Sequence, residues 1–447
     1  MRKHFYNNKS MKRIKIDEKT SAVSKLLEIS DFFGQAIKWE DTGIVFIQHF
    51  LPSIIDIPKA LIQLGIPSQN IVGLKKPYSE CKDVTLELEN LGIEIIQNSK
   101  PLSHGSFNVA FNRDIMTAWN KAINKFKKNN VKKIIIIDDG FYLTPSFPME
   151  ELNLPVIAIE QTTSGIIPFE TKNLPFPVIL FAGSATKKFL ETTIIVREIE
   201  KSINSHLKLN ISKNSLCGIL GNGTIGKALA SYLNEQGHKV MVYDKDPNKI
   251  PKTNGNIFGA KNLHTLTASV DYLFSMTGND ATIDMNPFEE TTKNIVAVNF
   301  GSASEFRTLL QHIHHQVKNN KNTEQNTDFY HLRDLEYATK FGSAITVKNS
   351  GFVGNFNKKD ELSTKEDIFI TRASIFACII QAANYLNKKD VVSCGKRYML
   401  DPRLQSKIAT QWINEHINQS DIYKYSKNFK NLSWIVKNSC GINPRQI

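Results

Sequence analysis

Apolar residues along this 447-residue chain alternate between two patterns. Short continuous apolar runs, bounded by glycine or polar positions, read as strands buried on both faces. Longer stretches with apolar residues every three or four positions read as amphipathic helices. Over 43–160 the pattern predicts strands at 44–48, 70–74, 93–97, 133–138 and 155–160, with helices at 53–64, 79–91 and 114–127 between them. Such alternation predicts a parallel, doubly wound sheet. A second series opens with strands at 216–220 and 239–243 around a helix at 227–236, and continues with strands at 272–276 and 294–298. Residues 315–328 are polar and aperiodic and read as a loop, while 343–347 and 351–354 look β-like. The stretch 367–386 predicts a long helix with small residues at Ala373, Ala377 and Ala382, crossing back to the first sheet. The fold class is therefore α/β, with two doubly wound parallel-sheet domains flanking a cleft. The expected division is a basic flexible tail at 1–21, the first part of a substrate domain at 22–188, a Rossmann NAD-binding domain at 189–351, a return to the substrate domain at 352–390 and a small C-terminal tail at 391–447.

The chemistry is most legible at Gly221-Asn-Gly223-Thr224-Ile225-Gly226. The turn follows an apolar strand, opens a helix, and leads through a second strand to Asp244, which is the arrangement of a dinucleotide-binding unit. Gly221 permits the tight turn, Gly223 admits a pyrophosphate to the backbone, and Gly226 lets helix and strand pack closely. The helix N-terminus offers N–H groups to the phosphates. Asp244 would accept the ribose hydroxyls and repel a 2′-phosphate, so the expected cofactor is NAD. Ligands of open α/β sheets bind beyond the carboxyl ends of strands. The polar residues at such ends are His49, Asp138-Asp139-Gly140 and Glu160-Gln161-Thr162-Thr163 in the first domain, and Asp244, Thr277 and Asn299 in the second.

Composition narrows the function classes. The net charge of +13 comes from lysines dispersed in small groups without interleaved aromatics, which reads as solvated faces and not as a nucleic-acid surface. No apolar run approaches the roughly 20 residues that span a bilayer, and 1–20 lacks the apolar core of a secretory signal. The five cysteines are scattered, without a CxxC pair, which suits a reducing compartment and argues against structural zinc. A cytoplasmic protein with no metal, no membrane and no nucleic-acid partner is expected.

Glu160-Gln-Thr-Thr-Ser-Gly165, Ser184-Ala-Thr-Lys187 with Glu191 four residues on, Asp138-Asp139-Gly140, and Asp244-Lys-Asp246-Pro247 occur in order along the chain. In this order and spacing the chain resembles the S-adenosylhomocysteine hydrolase superfamily over roughly 40–390. The resemblance implies NAD-dependent oxidation of a ribose-type hydroxyl on a nucleoside-like substrate, leading to thioether cleavage. It implies Lys187, Asp139, His49 and Glu191 as catalytic residues and Gln161 as a substrate contact. It also implies Thr162, Thr163, Ser164, Thr277, Asn299 and Asn355 as cofactor contacts, and a homo-oligomer (dimer or tetramer). Gln161 replaces a family Glu, and Ser302 replaces a family His. A non-catalytic NAD-binding sensor is the alternative within the same resemblance. A 2-hydroxyacid-dehydrogenase-like enzyme shares the two-domain plan. It would want an arginine and an acid–histidine pair downstream of the cofactor motif, where Arg307, His312 and His314 stand.

Overall fold

The computed structural model describes residues 21–34, 37–97, 103, 106–166, 174–319, 333–356, 360–388 and 395–416. The predicted basic tail up to residue 20, most of the polar loop and the segment after 416 lie outside the described residues. The first six strands are β1 (Thr42–Phe50), β2 (Ile71–Glu80), β3 (Glu94–Ile96), β4 (Lys133–Asp138), β5 (Val156–Glu160) and β6 (Val178–Leu180). All pair in parallel, in the order 6-5-4-1-2-3. The second sheet holds β7 (Leu216–Leu220), β8 (Lys239–Tyr243), β9 (Ile257–Gly259), β10 (Tyr272–Ser275), β11 (Ile295–Asn299), β12 (Leu335–Ala338) and β13 (Ala344–Val347). Its order is 12-13-11-10-7-8-9, parallel except for β12. From β9 to β13 this is the strand order of a dinucleotide-binding fold, with its reversal point between β7 and β10. The first sheet has the same reversal between β1 and β4. Both crevices that such sheets offer to ligands are thereby fixed.

The apolar runs become strands because helices cover both faces of each sheet, leaving little side-chain surface for water. Ile134, Ile135 and Ile136 of β4 have no exposed surface. One face of the first sheet packs on the helix Phe107–Lys128 and the other on the helix Lys365–Asn387. The latter starts at a capping box, in which the Thr364 hydroxyl accepts from the Asp367 N–H and the Asp367 carboxylate from the Thr364 N–H. Among the described residues it is the one helix long and apolar enough to cross a membrane by length and composition, but it lies inside the first domain's core.

Two expectations change here. Residues 391–447 are not a separate tail throughout. β14 (Arg397–Met399) adds to the first sheet beside β6, and the helix Pro402–His416 buries Leu404, Ile408 and Trp412 in the same core. Residues 351–354 form no strand. Asn349, Ser350 and Gly351 are all left-handed (φ 53°, 51° and 77°) and turn the chain sharply as it leaves β13. Phe352 and Val353 then join the first domain's core, so this turn is the return crossing. The outgoing crossing is the helix Thr192–Asn204, whose Ile194 packs in the first domain and Ile199 and Ile203 in the second.

Candidate active site

The glycine turn has the geometry of a phosphate cradle. Gly221 is left-handed (φ 98°), and a Cβ there would lie 2.9 Å from the Met276 carbonyl oxygen. A Cβ on Gly226 would lie 2.0 Å from the Gly221 carbonyl oxygen. At Gly223 nothing stands within 4 Å, so the turn is open on the one side where a pyrophosphate must approach. Gly223 also precedes the helix Thr224–Glu235, whose N-terminus no side chain caps. Gly223 and Thr224 are exposed and Ile225 half-buried, so the first N–H groups and the positive helix end face that opening. Asp244 directly follows β8 and accepts from the Asn222 N–H (2.7 Å) and the Asp246 N–H (2.9 Å), which locks its carboxylate beside the turn with lone pairs to spare for hydroxyls. The donors, the open glycine and the carboxylate all fit a dinucleotide with an unphosphorylated 2′-hydroxyl.

The other cofactor-side residues serve the protein's own loops. The Thr277 N–H and hydroxyl both donate to Glu305, as do Ser275 and the Gly278 N–H. Glu305 is fully buried, and burial lifts its pKa to about 7. The sequence reading missed this carboxylate, which sets the turn after β10. The Asn299 amide donates to the Ala303 and Gly351 carbonyls and accepts from the Gly301 N–H, shaping the turn after β11. Asn355 donates to Glu198, which also holds Ser363. The Ser164 hydroxyl lies 2.7 Å from that of Ser302, joining the loop after β5 to the loop after β11. Thr162 donates to Glu160, and Thr163 is exposed.

At the first sheet's reversal point Gln48 and His49 stand in the last residues of β1, and β4 ends at Asp138 with Asp139 directly after it. Asp138 accepts from three N–H groups and the Thr144 hydroxyl. Glu160 likewise accepts from Gly140, Phe141 and Thr162, and burial raises its pKa to about 8. These two acids build the loop, and Phe141 is forced to φ 62°, a strained conformation for a bulky residue. Asp139 is the acid left for chemistry. Its Oδ2 lies 3.3 Å from His49 Nε2 and its Oδ1 2.9 Å from the ammonium of Lys76. Burial alone would raise the Asp139 pKa, but the positive charges around it, led by Lys76, outweigh burial and leave it below the ordinary value. His49 Nδ1 is 2.5 Å from the Ser79 hydroxyl, and its ring stacks on Phe356 at 4.2 Å. Desolvation holds its pKa down to about 3 against the pull of Asp139. Gln161 accepts from the Gln48 amide at 2.6 Å beside this cluster.

Lys187 projects from a π-helical turn, Thr186–Glu191, a local widening often found at functional sites. Its ammonium lies 2.6 Å from Glu191 and 5.1 Å from the Phe181 ring centroid. Its charge and that of Arg372 both act on His49 and oppose a positive imidazole. Arg372 reaches the Ser53 hydroxyl at 2.8 Å and Glu361 at 3.4 Å. The structure thus brings His49, Asp139, Gln161, Lys187 and Glu191 to one region and adds Lys76, Ser79, Arg372 and Phe356, which the sequence reading did not single out. Arg307, His312 and His314 do not join it. Arg307 is exposed, and His312 faces Glu289 and the Tyr337 ring at the β12 edge.

Residues 181–322 match the family model described as the D-isomer specific 2-hydroxyacid dehydrogenase NAD-binding domain. The match covers under a third of the chain. No curated protein matches it. Solved structures similar to the chain include an NAD-complexed D-isomer specific 2-hydroxyacid dehydrogenase from Lactobacillus delbrueckii ssp. bulgaricus, at 11% identity and TM-score 0.30, covering 78% of this chain and 99% of that one. They also include a D-lactate dehydrogenase from Aquifex aeolicus, complexed with NAD and lactic acid, at 14% identity and TM-score 0.32, covering 60% and 86%. A third is an NADPH-dependent glyoxylate/hydroxypyruvate reductase from Sinorhizobium meliloti, at 12% identity and TM-score 0.32, covering 75% and 93%. At these TM-scores the likenesses carry no argument about this chain. The family match, however, overturns the resemblance to the S-adenosylhomocysteine hydrolase superfamily and the thioether cleavage inferred from it. The segments that carried the resemblance have structural causes within this fold: Asp138 and Glu160 tie strand-end loops, Ser184 accepts from the Lys187 N–H, and the glycine turn and Asp244 have a geometry that fits a dinucleotide. The second sheet is an NAD-binding domain, similar to that of D-isomer specific 2-hydroxyacid dehydrogenases.

Proposed function

We propose that the protein is an NAD-dependent oxidoreductase that interconverts a hydroxyl and a carbonyl on a small substrate held between its domains, with 2-hydroxy acids and their 2-oxo partners as the first substrate class. The match of 181–322 to the dehydrogenase cofactor domain carries this reading. Bound NAD supplies the hydride acceptor or donor. The chain supplies the rest from residues that face the crevice.

An alcohol oxidation releases a proton, and His49, neutral and 3.3 Å from Asp139, is the group that would relay it. Lys187 and Arg372 bring positive charge toward the substrate oxygens, each held in place by its own acid, Glu191 or Glu361. Gln161, fixed by Gln48, adds a neutral hydrogen-bonding contact. The acid–histidine pair and arginine that 2-hydroxy acid chemistry wants are supported here by His49–Asp139 and Arg372, not by Arg307 and His312.

The test incubates purified protein with NADH and a panel of short 2-oxo acids and follows loss of the reduced-nicotinamide absorbance. Consumption with at least one 2-oxo acid, abolished in Lys187→Ala, is the expected result. NAD binding without consumption across 2-oxo acids, ketones and aldehydes overturns the reading.

A further inference from the structure

Lys76 is a loud feature that the reaction above leaves unused. It lies on β2 with 2% of its surface exposed, and lysines are almost never so buried unless paired. Its ammonium meets Asp139 at 2.9 Å and the Tyr142 ring at 5.9 Å. The neighbouring geometry fixes the tautomer of His49. A neutral imidazole placing its bare nitrogen against Asp139 would set a lone pair against a carboxylate. The favourable tautomer carries its hydrogen on Nε2, 3.3 Å from the Asp139 carboxylate, and accepts the Ser79 hydroxyl at Nδ1. Lys76 positive, Asp139 negative and His49 neutral then make a trio of zero net charge, with Lys76 and Asp139 buried and His49 half-buried. Protonating His49 would put two cations on one carboxylate out of water, which is unfavourable.

The other groups facing His49 reinforce this. Lys187 and Arg372 both oppose a positive imidazole, even though Glu191 and Glu361 partner them. Tyr78 at 5.8 Å and Phe356 at 4.2 Å cover part of its ring, leaving 19% of the side chain exposed.

We propose that Lys76 is a positioning residue that sets the charge state of the site: by neutralising Asp139 it removes that acid as a base and keeps His49 a neutral proton acceptor. The use of His49 as acceptor rests on the reading above, whereas the charge state of the trio does not. In the oxidation direction the hydride of the substrate carbon would pass to bound NAD, leaving the hydroxyl proton for the chain's own groups. The O–H proton would pass through His49 Nδ1, displacing the Ser79 hydrogen bond, and on to solvent from the exposed part of the ring, so that the imidazolium is only transient and His49 returns to its neutral state. Removing Lys76 leaves His49 as the one basic group within ion-pair distance of Asp139 among the described residues, and His49 takes the proton in its place.

The experiment is a pH titration of the imidazole nitrogens by NMR in nitrogen-15 histidine-labelled protein, with the His49 signals assigned by their loss in His49→Gln. In the wild type His49 should hold the neutral Nε2–H form throughout the range where the protein stays folded. In Lys76→Met it should become an imidazolium paired with Asp139, its midpoint rising by about two pH units or more, the size of shift a neighbouring charge produces. Lys76→Gln, which retains a donor to Asp139, should behave alike and serves where the Met variant does not fold. Lys76→Arg should keep His49 neutral. With an active substrate, the acidic limb of the kcat/KM profile should move up with the same midpoint. A charged His49 in the wild type near neutrality, or an unmoved midpoint in both neutral variants, overturns the proposal. Absence of turnover with every substrate counts against the oxidoreductase reading alone, because the titration needs no turnover.

Discussion

Two alanine substitutions in one turn should separate fold from cofactor binding. At Gly226 a Cβ would sit 2.0 Å from the Gly221 carbonyl oxygen, a backbone atom that cannot swing aside. Helix and strand must move apart, and overpacking of this kind costs about 1–3 kcal/mol. For a domain of 150–250 residues each kcal/mol lowers the melting midpoint by about 2–4 °C. At Gly223 the added methyl meets nothing within 4 Å, and φ is −72°, which alanine adopts freely. Its effect on stability should stay within about 0.5 kcal/mol. The space that methyl enters is the one the pyrophosphate needs. Losing one or two charge-assisted N–H contacts removes about 1.5–3 kcal/mol, or about 10- to 150-fold in Kd. Thermal melts and calorimetric titration with NAD on Gly226→Ala and Gly223→Ala give both numbers. Gly223→Ala protein that melts and binds NAD like the wild type would refute the assignment of that opening to the dinucleotide. So would Gly226→Ala protein that does both.

Further outcomes follow from the same geometry. Asp244→Ser should weaken NAD binding and narrow its preference over NADP, because the carboxylate that would face a 2′-phosphate is gone; paired titrations with the two cofactors check this. Lys187→Ala should still bind NAD but lose turnover by about 10²-fold or more, read from single-turnover absorbance. Burial raises the Glu305 pKa from 4.5 to about 7, so between those values the folded state holds a proton that the unfolded state releases. Glu305 therefore makes folded stability fall as pH rises through that window, and Glu305→Gln should flatten that part of a denaturant-stability profile.

The sequence and the structure part company where strands enter the site. The glycine turn, β7, β8 and Asp244 are legible because each step of that unit obeys a local rule: an apolar run, a turn that only glycine allows, a helix face and a terminal acid. β2 is only half legible. Its apolar signal covers 70–74, yet the strand runs to Glu80 through Lys75, Lys76 and Ser79. Lys76 and Ser79 read as surface because their burial depends on Asp139 and His49 from other strands, and no local pattern carries that. Arg372 is hidden for the same reason, as a charged position in an otherwise apolar helix whose partners, Ser53 and Glu361, lie elsewhere in the chain. β14 escapes notice because three residues of edge strand have too little periodicity to register. The strand-end acids mislead in a different way. Asp138 and Glu160 carry motif-like surroundings because their carboxylates tie up turn N–H groups, and that structural use resembles a catalytic signature in sequence.

The central claim is that NAD lies across the second sheet's glycine turn with its ring toward the His49–Asp139–Lys187 region. A crystal structure of the protein grown with NAD tests it most directly. The account predicts the pyrophosphate against the Gly223 and Thr224 N–H groups, the adenine-side ribose on Asp244, and the nicotinamide facing that cluster. A cofactor bound elsewhere, or a ring turned away from those three side chains, would contradict it.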